Sequence, residues 1–424
     1  VLVTQTLFLL HIMCINRRNS LKISAILLKC LRFAIETEGN MAPKENNKPV
    51  VLQVLPELNQ GGVELGTIEI ASELQKRGIK NFVASAGGRM QPQLERLKVK
   101  HFTLPLKTKN IFKMWLNTKR LEKIIKENGV TIVHARSRAP AWSAYWAAKN
   151  CGVHFVTTFH GTYGLGPRGI KKFYNRIMTY GERVIAISNH IKEHIIKNYG
   201  TDENKIRLIS RCVNMENFDV ENTSAERMIK FLEENQIPSD KPLITLIGRL
   251  TNWKGQKLLI EALNKIKDED FFCLLIGDDQ GRTKYTDELH EMIEKYNMAD
   301  RFAFIRHVSD VPAAMMVSDI VLSTSIEPEA FGRIAIEGQA MGRIVIASNI
   351  GGSKETVIDG VTGKLFASEN ADDLAAAIKW GLSLSTAERE KIGAAAIKNV
   401  KEHFTKQIMC DKTIKVYEEL MNQK

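Results

Sequence analysis

The strongest constraint in this chain is an alternation. Short buried-type runs recur, each closed by a turn and mostly followed by a stretch with helical spacing of apolar residues. Val50–Leu55, Asn81–Ser85, Thr131–His134, His154–Thr158 and Arg183–Ile187 are strand candidates, and an amphipathic helix is expected from about Val63 to Arg77. Strand–helix alternation of this kind implies a doubly wound parallel sheet, because parallel neighbours need a crossover between them. The pattern breaks in the polar segment Asn214–Pro242, which carries Pro238 and Pro242. It then restarts with Leu243–Gly248, Phe272–Gly277, Phe302–Ile305, Ile320–Ser323 and Ile344–Ala347.

Two α/β units follow from this. A chain of 424 residues also exceeds what one ordinary core organises. The expected division is an extension over 1–48, a first Rossmann-like domain over 49–220, a second over 221–403, and a C-terminal helix over 404–424 that returns to the first. Met41 precedes a polar stretch and then the first clear strand, so Met41 is expected to be the natural start, with 1–40 as upstream translation. A weak membrane-binding segment is the competing reading of those residues. In open α/β sheets ligands bind beyond the carboxyl ends of strands, so chemistry is sought in the loops that follow them, facing a cleft between the domains.

Charge narrows the partners. Residues 41–238 hold 31 Lys and Arg against 18 Asp and Glu, whereas 239–424 hold 24 against 28. The basic excess in the first half suits an anionic partner: phosphate groups, a membrane surface or nucleic acid. No zinc-finger, RRM or KH signature supports nucleic acid. The segment Lys107–Lys126 carries seven cations and one acid, with Phe112, Met114 and Trp115 interleaved. As a helix it is either a basic amphipathic surface for anionic lipid, or a solvated helix with Phe112 and Trp115 in the core. The six cysteines are scattered without CxxC or Cys/His ligand spacing, which points to a reducing compartment and away from structural zinc. A cytoplasmic location is expected, with a peripheral position on the inner membrane face as an extension of it.

Several loops carry candidate residues. GRLTNWKG places Gly248 and Arg249 at the end of a strand and Lys254 at the following loop–helix junction. Two cations there suit a diphosphate, Arg by forking onto its oxygens and Lys as a mobile point charge; a solvated basic turn is the competing reading. EPEAFGRIAIEGQAMG follows another buried strand and holds Glu329 and Glu337. A helix from about Phe331 to Met341 would put Glu329 at its mouth and Glu337 two turns along, about 12 Å away on the same face. Carboxylates accept hydrogen bonds from vicinal hydroxyls, so a sugar at one and a ribose at the other form a sensible pair. In the first half, Gly61 and Gly62 open a helix after a strand and permit close backbone approach to a ligand. His160 ends a strand and faces the same cleft, though a lone His is more often structural.

Two patterns are read as decoys. GLGPRG, Gly164–Gly169, fits a dinucleotide fingerprint but lies well past its strand, contains Pro167, and lacks the acidic partner after the next strand. Asp268-Glu269-Asp270 precedes a strand, at the wrong end of the sheet, so no metal site is expected.

Taken together, GGVE, the strand-ending HG, GR…KG, EPEAFGRIAIE and GGSKETVIDGVTG resemble the retaining glycosyltransferases of family 4, of the lipopolysaccharide and cell-envelope type. The resemblance runs from about Val50 to the C-terminus. It implies the GT-B fold: two Rossmann-like domains facing an interdomain cleft. It implies that Arg249 and Lys254 hold a donor diphosphate beside Gly248, and that Glu329 touches the donor sugar. Phe331, Gly332 and Arg333 would shape the phosphate side, Glu337 would bind the ribose, and His160 would lie beside the sugar. Gly61 and Gly62 would approach the diphosphate from the opposite domain. Neither metal nor cofactor is implied; a nucleotide-sugar is the co-substrate and a glycan or lipid-linked molecule the acceptor. Cys212-Val213-Asn214 departs from the family's Gly-Val-Asp near the hinge, and Ile344 stands where Pro is common. Alternatives on this fold are a nucleotide-sugar epimerase and a non-catalytic nucleotide-sugar-binding subunit; a dehydrogenase is a more distant one.

Overall fold

A computed structural model describes residues 48–423 apart from Gln60; the readings made for the N-terminal 47 residues lie outside it. Thirteen strands form two sheets. The first contains β1 (Val51–Val54), β2 (Asn81–Ser85), β3 (Lys100–Thr103), β4 (Ile132–Ala135), β5 (His154–Phe159), β6 (Arg183–Ala186) and β7 (Ile206–Leu208), in the order β3-β2-β1-β4-β5-β6-β7. The second contains β8 (Leu243–Ile247), β9 (Phe272–Ile276), β10 (Phe302–Ile305), β11 (Ile320–Ser323), β12 (Ile344–Ser348) and β13 (Lys364–Phe366), in the order β10-β9-β8-β11-β12-β13. Every pairing is parallel.

Both sheets reverse their winding at their first strand. β1 lies between β2 and β4, and β8 lies between β9 and β11. The connections leaving the two central strands therefore go to opposite faces, which opens a crevice at the carboxyl ends. The loops after β1, β4, β8 and β11 line these crevices, and most candidate residues sit on them.

The strands at the sheet centres are fully buried, as β1, β4, β9 and β12 illustrate. Burial on both faces selects continuous apolar runs, which is why these elements were visible in sequence. β3, β7 and β13 were not anticipated. All three are edge strands of three or four residues, and β3 exposes both its terminal residues. An edge strand has one neighbour and less area to cover, so its sequence KHFT need not be apolar.

The chain passes between the halves twice. The crossings at Val213 and Phe404–Thr405 are tied together by a bridge from Val213 to Thr405 and a bond from Val213 N to Phe404 O at 2.9 Å. After the second crossing the Lys406–Met421 helix packs on the first sheet, burying Met409, Ile414, Tyr417 and Leu420 against Val51, Ile132, Val156 and Ile185. The Tyr417 hydroxyl lies 2.7 Å from His134 Nδ1, whose Nε2 is 2.7 Å from Thr158 Oγ1. Burial holds His134 well below the usual histidine range, so the ring is neutral and uses one nitrogen as donor and the other as acceptor.

Glu419, near the end of that helix, receives Arg183 at 2.6 Å and Arg207 at 2.5 Å. Hydrogen bonds from Arg207 and then Arg183 pull its carboxyl from 4.5 to about 2. An acid depressed by folding contributes its stability above its unfolded value and loses it as pH falls through the folded one. Glu419→Gln is expected to lower stability at pH 7 by about 1–2 kcal/mol, a partly exposed site reducing the full linkage value. In urea melts, the gap to the wild type should shrink below about pH 4.5 and close near pH 2.

Candidate active site

The β8 and β11 loops are stitched together by backbone contacts. After β8 the chain makes a short 3-10 turn, Asn252–Lys254, and Gly255 then takes a left-handed φ of 74°. A Cβ on Gly255 would lie 2.0 Å from the Thr324 carbonyl oxygen, so only glycine allows this approach. Thr324 Oγ1 donates to Lys254 O at 2.9 Å, and Ile326 N donates to Trp253 O at 2.8 Å. The result is a short ion pair: Lys254 Nζ lies 2.6 Å from Glu329 Oε1, with the two side chains 14% and 12% exposed. Ser325 Oγ donates to the same carboxylate oxygen. The Lys254 stem runs over Gly248, and its ammonium sits 4.5 Å from the centre of the Trp253 ring. Arg249, on the same loop after β8, is exposed, and no described residue pairs with its guanidinium.

The Glu329 loop is pressed against the turn after β12. A Cβ on Gly351 would lie 2.5 Å from Glu329 O, and one on Gly352 would lie 2.4 Å from Phe331 Cα. Gly352 N donates to Glu329 O at 2.8 Å. Gly332, with φ 84°, then opens the Arg333–Ala340 helix. Here the helix expected from Phe331 to Met341 is corrected. It starts four residues after Glu329, because the Gly351–Gly352 contact and the left-handed Gly332 hold the preceding backbone out of helical geometry. Glu329 and Glu337 therefore share no helix face. Glu337 is on the fifth residue of the helix, not two turns beyond Glu329.

Glu337 is buried, and Arg333 Nη2 donates to its Oε1. Burial pushes the Glu337 carboxyl up from the ordinary range, with Arg333 pulling it back and Glu69 adding a smaller upward push. Arg333 Cδ is 3.9 Å from the position of a Cβ on Gly62, so this side chain reaches the glycine pair of the first half. The carbonyl of Gly62 accepts from Arg211 Nη2. His160 follows β5; its Nε2 is buried without a partner among the described residues. Burial, then the charges of Arg211 and Arg136, holds His160 well below its usual range, and the ring is neutral. Phe331 is buried and meets the Phe404 ring edge-on at 5.7 Å, so its side chain anchors the loop at the interdomain crossing.

The candidate residues thus fall into two groups. Gly248, Lys254 and Glu329 form one, with Arg249 at the rim; Gly61, Gly62, Arg333 and Glu337 form the other, with Phe331 and Gly332 on the segment joining them. His160 lies with Arg136 and Arg211 on the first half. Sequence reasoning missed Trp253, Gly255, Ser325, Gly351 and Gly352 as parts of this site. Gly351–Gly352 carried a usable signal, a double glycine after a buried strand, as at Gly61–Gly62. Ser325 carried none. Among the described residues, no group of three or more His, Cys, Asp and Glu converges to hold a metal ion.

Residues 60–217 match Glycosyltransferase Family 4, and residues 228–399 match Glycosyl transferases group 1. A glycosyltransferase from Rickettsia africae ESF-5 is 41% identical, with a TM-score of 0.84 over 89% of this chain and 100% of that one. The chain belongs to glycosyltransferase family 4. Its two parallel-sheet domains are those of the GT-B fold, and it is a glycosyltransferase. The fold likeness extends to Anabaena Alr3699/HepE, crystallised with UDP and glucose, at 22% identity and a TM-score of 0.75 over 88% of this chain and 100% of that one. It also extends to WaaG, described as a glycosyltransferase involved in lipopolysaccharide biosynthesis, at 16% identity and a TM-score of 0.68 over 87% and 99%.

Within this family-4 enzyme, the Gly255 contact makes a test of the loop geometry. Gly255→Ala combines a left-handed backbone with overlap on Thr324 and should cost about 1–3 kcal/mol. The expected result is a lower melting temperature than the wild type in scanning calorimetry.

Proposed function

We propose that this glycosyltransferase moves a hexosyl unit, with retention of anomeric configuration, from a nucleotide-sugar to a glycan or lipid-linked acceptor of the cell envelope. The observation that carries this reading is the 2.6 Å Lys254–Glu329 pair at the carboxyl ends of β8 and β11, with Arg249, unpaired among the described residues, exposed on the same β8 loop. A cation pair and a carboxylate held at that place match the two ends of a sugar diphosphate. Arg249 and Lys254 take the diphosphate, Glu329 accepts from the sugar hydroxyls, and Glu337 offers its second oxygen to a ribose hydroxyl while Arg333 holds the first.

In the transfer step the bond between the anomeric carbon and the phosphate oxygen breaks, with both electrons going to the leaving diphosphate. The acceptor hydroxyl oxygen bonds to the anomeric carbon on the same face, and its proton passes to the leaving phosphate oxygen. Arg249 and Lys254 stabilise the charge that builds on the diphosphate, so no metal ion or further cofactor is invoked in this step. Neutral His160 would lie beside the sugar on the first half, and the glycine backbone at Gly61 and Gly62 would approach the diphosphate. The name of the Anabaena neighbour's ligand, UDP, supports a uridine donor as the first to be tried.

The acceptor side is read from the first half. The Ile111–Asn128 helix exposes Phe112 at 66% and Trp115 at 46%. This removes the reading in which those two rings lie in the core. Phe173 is 48% exposed and Ile170 72%, on a short helix that carries Lys171 and Lys172. Both segments flank the Arg138–Cys151 helix: Ser143 Oγ donates to Met114 O at 2.9 Å, and the Trp142 and Phe173 rings lie tilted with centres 6.2 Å apart. Exposed rings among lysines suit an anionic lipid surface, where a lipid-linked acceptor would be presented. No helix among the described residues is long and apolar enough to cross a membrane.

A panel of nucleotide sugars, scored by donor consumption and by NMR of the anomeric product, tests the activity. Lys254→Ala and Glu329→Gln are each expected to lower transfer at least a hundredfold with the circular dichroism spectrum unchanged. Near-normal turnover removes that residue from the site, and epimerised donor formed without acceptor overturns transfer. In a separate assay, vesicles of phosphatidylglycerol and phosphatidylcholine should sediment the protein at low salt, with Phe112→Ser/Trp115→Ser retained at least fivefold less. Wild-type protein left in the supernatant would end the membrane reading.

A further inference from the structure

The Glu329 loop has a second contact, from the first half, that the transfer chemistry does not use. The Asn189–Tyr199 helix begins after β6, with Ser188 as its N-cap. The first N–H groups of a helix have no intrahelical acceptor. Here the second half supplies one. Glu355, on the short Ser353–Thr356 helix, accepts from Asn189 N and His190 N, both at 2.7 Å, and from Asn189 Nδ2 at 3.1 Å. Ser188 Oγ accepts from Ile191 N at 3.1 Å and donates to Ala330 O at 2.6 Å. The first three N–H donors of the helix are thereby satisfied, two of them by a charge from the opposite domain, at the helix end that favours an anion.

Both anchor points adjoin Glu329. Ala330 is its neighbour in the chain. Glu355 follows Gly351 and Gly352, whose backbones press on Glu329 and Phe331. Opening the cleft would pull Glu355 from the helix and Ser188 from Ala330 together, leaving the helix donors to water and the loop held on one side only.

We propose that Glu355 and Ser188 are positioning residues that form an interdomain latch: they hold the halves closed and fix the Glu329 loop in its working geometry. The catalytic part of this proposal rests on the reading of Glu329 as the contact for the donor sugar; the closure part does not. Neither residue touches the reacting atoms. They act through the loop backbone, and they couple closure of the halves to the placement of the carboxylate.

The test compares ligand-free wild type with Glu355→Ala, Glu355→Gln and Ser188→Ala. Small-angle X-ray scattering should show a larger radius of gyration for Glu355→Ala. Hydrogen exchange followed by mass spectrometry should speed up at least tenfold in segments 189–191 and 328–332, with β8–β12 at wild-type rates. Glu355→Gln keeps one acceptor oxygen and should fall between. With an active donor, kcat should drop roughly tenfold while the affinity for nucleoside diphosphate stays within about twofold, because Arg249 and Lys254 are untouched. The Ser188→Ala/Glu355→Ala double variant should lose little more than Glu355→Ala alone, since both act on one closure. Unchanged scattering and unchanged exchange at 328–332 in Glu355→Ala overturn the latch, whether or not a donor has been found. Faster exchange with unaltered kcat overturns the positioning role. Failure of every donor with the wild type counts against the transfer reading and leaves the scattering and exchange results to decide the latch. Uniformly faster exchange across both sheets marks Glu355 as a general stabiliser and also overturns the proposal.

Discussion

Lys254 and Glu329 are 75 residues apart in the chain and 2.6 Å apart in space, and the rest of the site is arranged around that contact. It exists because β8 lies beside β11, so the loops leaving two neighbouring parallel strands must meet. Taking two charges this far out of water is expensive, and their attraction offsets the loss only when the geometry is good and the remaining lone pairs are occupied. Ser325, the Trp253 face and the Gly248 surface under the lysine stem supply that geometry. A pair of this kind contributes little net stability.

Backbone-to-backbone contact is the means by which loops of this enzyme are fixed. Gly255 against Thr324, Gly277 against Gly248, and Gly351 and Gly352 against the Glu329 loop each leave no room for a Cβ. These contacts hold charged side chains in place without adding side chains of their own to the crevice. Rigidity is distributed differently between the halves, where, among the described residues, the chain crosses at Val213 and at Phe404–Thr405. Two strands of backbone tied to each other make a natural hinge. The Lys406–Met421 helix then anchors the second crossing to the first sheet.

The electrostatic character of the first half also has a structural side. Arg136 and Arg211 are buried at its carboxyl-end face, and burial brings Arg136 down to about 10. Their charges, with burial, keep His160 neutral. The exposed lysines near Phe112 and Phe173 belong to a different surface, so the basic excess seen in composition includes unlike populations.

The fold was legible where burial on both faces forced apolar runs: the central strands of both sheets, the Gly62–Lys76 helix and the break between the halves. The glycine turns were legible too, because turn geometry admits few residue types. Edge strands β3, β7 and β13 were not, since one neighbour places little demand on sequence. The start of the Arg333–Ala340 helix, the pairing of Arg333 with Glu337, the exposure of Phe112 and Trp115, and the Glu355 contact were decided elsewhere. What the sequence determined alone was local: which segments must be buried, and which loops could carry charge or bend. Tertiary structure decided which loops meet and which side chains are taken out of water, because both depend on strand order and on surfaces contributed by residues far away in the chain.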